Sequence, residues 1–241
     1  MKLLLERGDV GPNASDNYGL TPFSFALARF RESNSFRGLS SPASRHEGVM
    51  KLLLERGNID PSSPDSSCRT LLSFAAEQGQ EALVNLLLER GDVDPNSPDG
   101  NGRTPLSFAA ARGQESIVKL LLTRGDVDPN SPDGNGRTPL SFAAERGQEG
   151  IVKLLLERGD VDPNASDNNG RAPFSFAIER FRECNDFRSP SSSASRHEGV
   201  MKLLLERGNT DPHRPDSNGR TLLSFAAERG SEGIAKLLGT G

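Results

Sequence analysis

The sequence predicts an all-α solenoid, a stack of antiparallel helix pairs joined by turn-rich fingers. Three observations lead there. Equivalent threonines at Thr70, Thr104 and Thr138 recur every 34 residues, and a fixed period of roughly 20 to 50 residues marks a stacked array. Each unit carries two apolar segments at helical spacing, separated by a glycine. No unit can bury its own apolar face, because Leu120, Leu121 and Leu122 and the small pair Ala109 and Ala110 only find partners on a neighbour.

In chain order, residues 1–18 carry the second half of a unit and residues 19–67 a unit of 49. Residues 68–101, 102–135 and 136–169 are three units of 34, residues 170–218 a second unit of 49, and residues 219–241 a truncated last one. The whole of 1–241 therefore reads as one solenoid, and each long unit holds an insertion of 15 (49 less 34). Residues 1–90 also align without gaps on 152–241, with 64 of 90 positions identical, so a whole block is duplicated.

Within residues 102–135 each element has a local cause. Thr104 is a suitable N-cap, and Pro105 fits the first turn, where its missing N–H leaves nothing unbonded. The first helix runs to about Arg112 and stops at Gly113. A second begins at Glu115, with Ile117, Val118, Leu120 and Leu121 at helical spacing, and Gly125 is expected to supply its left-handed end. Glu115 with Lys119 and Glu149 with Lys153 are i,i+4 pairs worth about 0.2–0.5 kcal/mol each, too little to drive the fold. The remaining DVDPNSPDGN is dense in Asp, Pro, Asn and Gly and forms a finger with tight turns.

The long units differ. Phe23, Leu27 and Phe30 are spaced i, i+4, i+7, which extends the first helix through ARFRESNSFR to about Arg37; Phe174, Ile178 and Phe181 repeat this. Phe30 and Phe181 stand where the other units have their stop glycine. Beyond them GLSSPAS and SPSSSAS read as mobile polar loops.

Composition narrows the function. With 29 basic against 33 acidic side chains the net charge is −4, and Trp is absent with a single Tyr, so neither charge nor stacking favours nucleic acid. No stretch approaches about 18 apolar residues, and MKLLLERG meets Glu6 and Arg7 before a signal-peptide core can form, so the expected location is intracellular, in the cytoplasm or nucleus, with no membrane partner. Cys68 and Cys184 are the only cysteines, too few for a disulfide framework and without zinc-ligand spacing.

Chemistry-bearing patterns fail on inspection. Asp126, Asp128 and Asn130 alternate as calcium ligands do, but Ser131 stands where the loop needs Gly and Arg137 where it needs a bidentate Glu, so these side chains are expected to cap turns. His46 and His197 open His-Glu-Gly-Val-Met with no second His at i+4, which breaks the zinc-protease pattern. Nucleophilic catalysis needs a nucleophile and a base in one place, and ladders of one residue per unit supply neither. No enzyme, catalytic residue, metal or cofactor is expected.

The string GRTPLSFAAERGQEGIVKLLLERG resembles the ankyrin repeat, whose Thr-Pro-Leu-His stretch stands here as Thr-Pro-Leu-Ser at 104–107 and 138–141. The resemblance covers nearly all of the chain outside the two insertions and implies β-turn or hairpin fingers. Two features depart from the family pattern. The His is Ser throughout (Ser24, Ser73, Ser107, Ser141, Ser175 and Ser224), which removes a hydrogen bond between fingers, and the period is 34 rather than the usual 33 or so. The near-identity of neighbouring units is similar to ankyrin arrays of filamentous fungi, including those at the C-terminal end of NACHT-type intracellular receptors.

Two ladders accompany the repeat. Arg69, Arg103, Arg137, Arg171 and Arg220 face Asp65, Asp99, Asp133, Asp167 and Asp216, and mutual neutralisation along the fingers is expected over an anion-binding stripe. Positions that vary between otherwise matching units are Glu77 and Gln78, Ala111 and Arg112, Glu145 and Arg146, Glu179 and Arg180, and Glu228 and Arg229. The resemblance implies that these line a concave surface gripping a partner. The expected partner-binding set is therefore Arg69, Glu77, Gln78, Arg103, Ala111, Arg112, Arg137, Glu145, Arg146, Glu179 and Arg180. Arg31, Phe36, Arg37, Arg182, Phe187 and Arg188 of the insertions are expected as a second contact.

The expected function is thus non-catalytic recognition of another protein. The alternatives are anion or nucleic-acid binding by the Arg ladder and a structural spacer or sensor segment of a larger intracellular receptor. Met1 aligns inside a unit and LLLERG becomes LLGTG at the other end, without the polar caps that arrays need. A longer array or end-to-end self-association is the expectation there, and light scattering against concentration checks the latter.

Overall fold

The computed structural model of the chain describes residues 68–185 and 192–207, with Gly48, Leu52, Leu54, Thr210, Gly219, Thr221 and Ser224 as isolated positions. Among them lie eight helices and no strand. They come in pairs: α1 (Leu71–Gln78) with α2 (Glu81–Glu89), α3 (Pro105–Arg112) with α4 (Glu115–Leu122), α5 (Pro139–Glu145) with α6 (Glu149–Leu156), and α7 (Pro173–Asn185) with α8 (Ser192–Arg207). First helices α1, α3, α5 and α7 stack in one row and second helices α2, α4, α6 and α8 in another, giving an all-α solenoid.

Three of the four first helices start in the same way, the exception being α7, where Ala172 takes the threonine's place. The Thr70, Thr104 and Thr138 side chains accept the N–H of Ser73, Ser107 and Ser141 at 3.2, 3.3 and 3.3 Å. The serine hydroxyls lie 3.2 Å from the same threonine oxygens, so the buried serine ladder completes an N-cap rather than serving chemistry. Ala75, Ala76, Ala109, Ala110, Ala143 and Ala144 have no exposed surface, which lets the first helices approach closely. Leu83, Leu87, Ile117, Leu121, Ile151 and Leu155 are equally buried on the second row, and all belong to one apolar seam running through every described unit.

The fingers carry hairpin turns without strands. Asp99 N–H donates to the Arg103 carbonyl at 2.9 Å, while the Asp99 carboxylate accepts the N–H of Asn101 and Arg103, both at 2.9 Å. Asp133 and Asp167 repeat this. Consecutive fingers are joined by Asn96, whose Nδ2 donates to the Asp126 carbonyl at 2.5 Å and whose Oδ1 accepts the Asp128 N–H at 2.9 Å; Asn130 does the same one unit on. Of the finger residues expected to cap turns, Asp128 does so, its Oδ1 taking the Asn130 N–H, whereas Asp126 pairs with Arg124 and the Asn130 side chain bridges to the next finger. Gly102 sits at φ +80°, and a Cβ there would lie 2.7 Å from the Gly134 nitrogen of the next finger. Cys68 occupies the equivalent place at φ +56°, a conformation disfavoured for side chains larger than hydrogen.

Two expectations need correction. Gly113 stops the first helix as expected, at φ +76°, but Gly125, expected to be left-handed, is not among the left-handed glycines. Helix α4 instead ends at Leu122, where the Thr123 N–H closes the last turn on Lys119 and its hydroxyl donates to the Leu120 carbonyl at 2.7 Å. In the insertion-bearing unit the first helix is lengthened, 13 residues in α7 against seven in α5, with Phe174 and Ile178 buried and Phe181 partly so. The expected polar loop is shorter than the sequence reading allows, because α8 already begins at Ser192 and runs 16 residues. Buried Val200, Met201 and Leu204 anchor that helix, and each residue added backward toward Pro190 gains a backbone bond without a new nucleus. Arg182 lies on α7, while Arg31, Phe36, Arg37, Phe187 and Arg188 lie outside the described residues, as do Asp65, Asp216, Arg220 and both chain ends.

Candidate functional site

The variable positions stack along the first-helix row, at the ends of α1, α3 and α5 and, because α7 is lengthened, in the middle of α7. Two of them are acids that tie units together. Glu77 accepts from Arg69 of its own unit through Oε2, and from Arg112 of the next unit through Oε1, at 2.9 Å from Nε and 2.6 Å from Nη2. Glu145 repeats the arrangement with Arg137 of its own unit and Arg180 of the next, the latter at 2.8 Å. Glu179 approaches its own Arg171 at 3.4 Å.

Burial alone would push the Glu77 carboxyl up, but the hydrogen bonds from Arg69 and Arg112, with their charges, outweigh it and hold it below the ordinary range. Glu145 is lowered through the same opposition, with Arg137 and Arg180 as the donors. The Glu77 and Glu145 side chains are only 11% and 14% exposed, whereas Arg112 and Arg180 are 60% and 41% exposed. The acids therefore belong to the scaffold, and the arginines present the face.

The arginine ladder does not neutralise the Asp ladder uniformly. Arg103 grips Asp99 with Nε at 3.1 Å and Nη2 at 2.8 Å, and Arg171 grips Asp167 at 3.0 and 2.8 Å. Arg137 turns its side chain to Glu145 instead, leaving Asp133 only the backbone N–H groups of the turn. The guanidiniums also stack on phenylalanines. Arg69 lies 4.1 Å from the ring centre of Phe108 in the next unit, and Arg137 sits 4.3 Å from Phe142 and 4.5 Å from Phe176. Arg103 and Arg171 stack on their own Phe108 and Phe176 at 4.5 and 4.6 Å. All four described ladder arginines thus face a carboxylate of this chain.

The remaining members of the expected set fall as follows. Gln78 and Ala111 are half-buried beside Glu77 and Arg112. Arg146 is exposed and has no carboxylate partner among the described residues, because Ala111 stands where Glu77 and Glu145 stand in the neighbouring layers. Sequence reasoning missed three residues that couple units from the other side. Arg90, Arg124 and Arg158 each donate to a carbonyl of the preceding unit, Leu54, Leu88 and Leu122, at 2.7, 3.3 and 2.7 Å, and each pairs with the Asp two residues on. The recurrent Arg-Gly-Asp was the available signal. His197 is structural: its Nε2–H donates to the Glu145 carbonyl at 3.0 Å, as Gln114 Nε2 does to the Glu77 carbonyl at 3.1 Å.

Among the described residues no three His, Cys, Asp or Glu side chains come together as a metal site, and no helix is long and apolar enough to cross a membrane. Two family models match the chain, one described as ankyrin repeats (3 copies) over residues 39–133 and one as ankyrin repeats (many copies) over residues 120–177. Among solved structures, the crystal structure of EF0377, an ankyrin repeat protein, is similar at 25% identity with a TM-score of 0.70, covering 89% of this chain and 98% of that one. No curated protein matches.

Proposed function

Since the chain belongs to the ankyrin-repeat family, whose members are generally non-catalytic modules that bind other proteins, we propose that it is an intracellular recognition scaffold gripping a partner protein along the face where its first helices end. One observation carries this reading. Across residues 68–169 the units share their core and caps nearly residue for residue, while a row of charged positions on one face differs between them.

In this reading Glu77 and Glu145 set the spacing, with Arg69 and Arg137 held behind them, and Gln78, Ala111, Arg112, Arg146 and Arg180 meet the partner. Arg103, Glu179 and the insertion residues Arg31, Phe36, Arg37, Arg182, Phe187 and Arg188 extend the contact on either side. The test is co-purification from the source cell with mass spectrometry, comparing the wild-type chain with the Arg112→Ala, Arg146→Ala, Arg180→Ala triple variant. A specific partner retained by the first and lost by the folded second is expected; retention of the same partner by both overturns the reading. A binding constant falling steeply with salt, by several powers, would instead point to a polyanion.

A further inference from the structure

The layer at Ala111 lacks an acid that its neighbours contain. One layer before, Glu77 is clasped by Arg69 and Arg112; one layer after, Glu145 is clasped by Arg137 and Arg180. The corresponding arginines around Ala111 are Arg103 and Arg146, each exactly one 34-residue period from its counterparts. Both are present, yet the residue between them carries only a methyl group. Arg103 has turned back to Asp99, and Arg146 is exposed without a carboxylate among the described residues.

We propose that this gap is a socket for an Asp or Glu side chain of the partner protein, whose carboxylate takes the place that Glu77 and Glu145 occupy beside it. The proposal rests on the protein-recognition reading above and names the chemistry recognised at one point of that face.

Three features fit. Arg103 has a route off Asp99, since the equivalent Arg137 is turned away from Asp133, which keeps its turn through the backbone N–H groups of Asn135 and Arg137. The destination is open: Phe108 and Phe176 each carry two guanidiniums, their own unit's and the preceding unit's, whereas Phe142 carries only Arg137. The vacant place on Phe142 is the one Arg103 takes when it follows the path of Arg69. Lastly, two guanidiniums converging on one carboxylate give charge-assisted bonds with directional preference, which selects an acid over an amide.

The experiment pans a displayed library of random twelve-residue peptides against the full chain and measures the selected peptides as synthetic pairs differing by Glu→Gln or Asp→Asn. We expect the binders to share an acid whose amide version binds at least tenfold more weakly. Arg146→Gln should lose the same factor, with no further loss when combined with the amide peptide. Ala111→Glu, which fills the socket from within, should also lose it while melting as a folded protein. Binders that ignore Arg146→Gln and Ala111→Glu, or that need no acid, overturn the socket and leave the recognition reading standing. Failure to select any binder on the wild-type chain removes both.

Discussion

The units at 68–101 and 102–135 are nearly the same sequence, and their arginines nevertheless point to different partners. Arg69 reaches forward to Glu77 and lies on the phenylalanine of the next unit, while Arg103 folds back onto Asp99 and lies on its own. The backbone around them is alike: the same threonine caps, the same left-handed stop at Gly79 and Gly113, the same buried alanines. Among the residues that differ is the one eight positions on, Glu77 in one and Ala111 in the other. An acid there offers the arginine a second partner without compelling the turn, since Arg171 keeps its grip on Asp167 and only approaches Glu179 at 3.4 Å.

The strongest way to break the comparison is to attack what the two layers share. Leu72 and Leu106 are equivalent and essentially unexposed. Leu72→Ala and Leu106→Ala should each cost about 2–5 kcal/mol in urea unfolding, and by similar amounts, because both cavities open into the same seam. Unequal costs would mean that the layers differ in packing and not only in their charged rim.

Next in size is the finger position held by Gly102 in one layer and Cys68 in the other. Gly102→Ala places a Cβ against the Gly134 backbone nitrogen at positive φ and should cost about 2 kcal/mol or more. Cys68 is exposed and already strained at φ +56°, so Cys68→Gly should raise the unfolding free energy by about 0.5–1 kcal/mol, the relief of the left-handed strain less the extra chain entropy of glycine.

Acid separates the layers more finely. Glu77 has its pKa lowered in the fold, so its contribution is complete above the ordinary glutamate value of about 4.3 and is lost as pH falls through the lower folded-state value. Glu77→Gln should destabilise by about 1 kcal/mol near pH 7, since one of its two arginines is well exposed and screened, and the gap to wild type should close in urea titrations below pH 4. A gap independent of pH would show that the glutamate acts through packing.

Much of this frame was readable in the residues. The helix pairs follow from the period, Thr104, Pro105 and Gly113, because those signals act within one turn of the chain. The extension of α7 follows from Phe174, Ile178 and Phe181 for the same reason. Less legible was whatever depends on a partner 34 or more residues away. The early start of α8 depends on anchoring by Val200 and Met201 against the stack, Arg124 finds its carbonyl on Leu88 of the previous unit, and His197 stands in for a glutamine only because the insertion delivers it to Glu145. The variable row was legible as a row. That its acids are consumed within the protein was not, since Glu77 and Arg112 are 35 positions apart.

The smallest expected effect is the most direct test of the comparison itself. Ala111→Glu gives the 102–135 layer the residue its neighbours have, and the introduced carboxylate should draw Arg103 off Asp99 onto Phe142 and order Arg146 from the following unit. Because Arg146 is exposed, the gain in stability should stay below about 1 kcal/mol. A crystal structure of the variant is therefore the decisive measurement. If Arg103 remains on Asp99 with a glutamate beside it, then the forward orientation of Arg69 and Arg137 is set by something other than the acid, and the difference between the layers lies in the fingers.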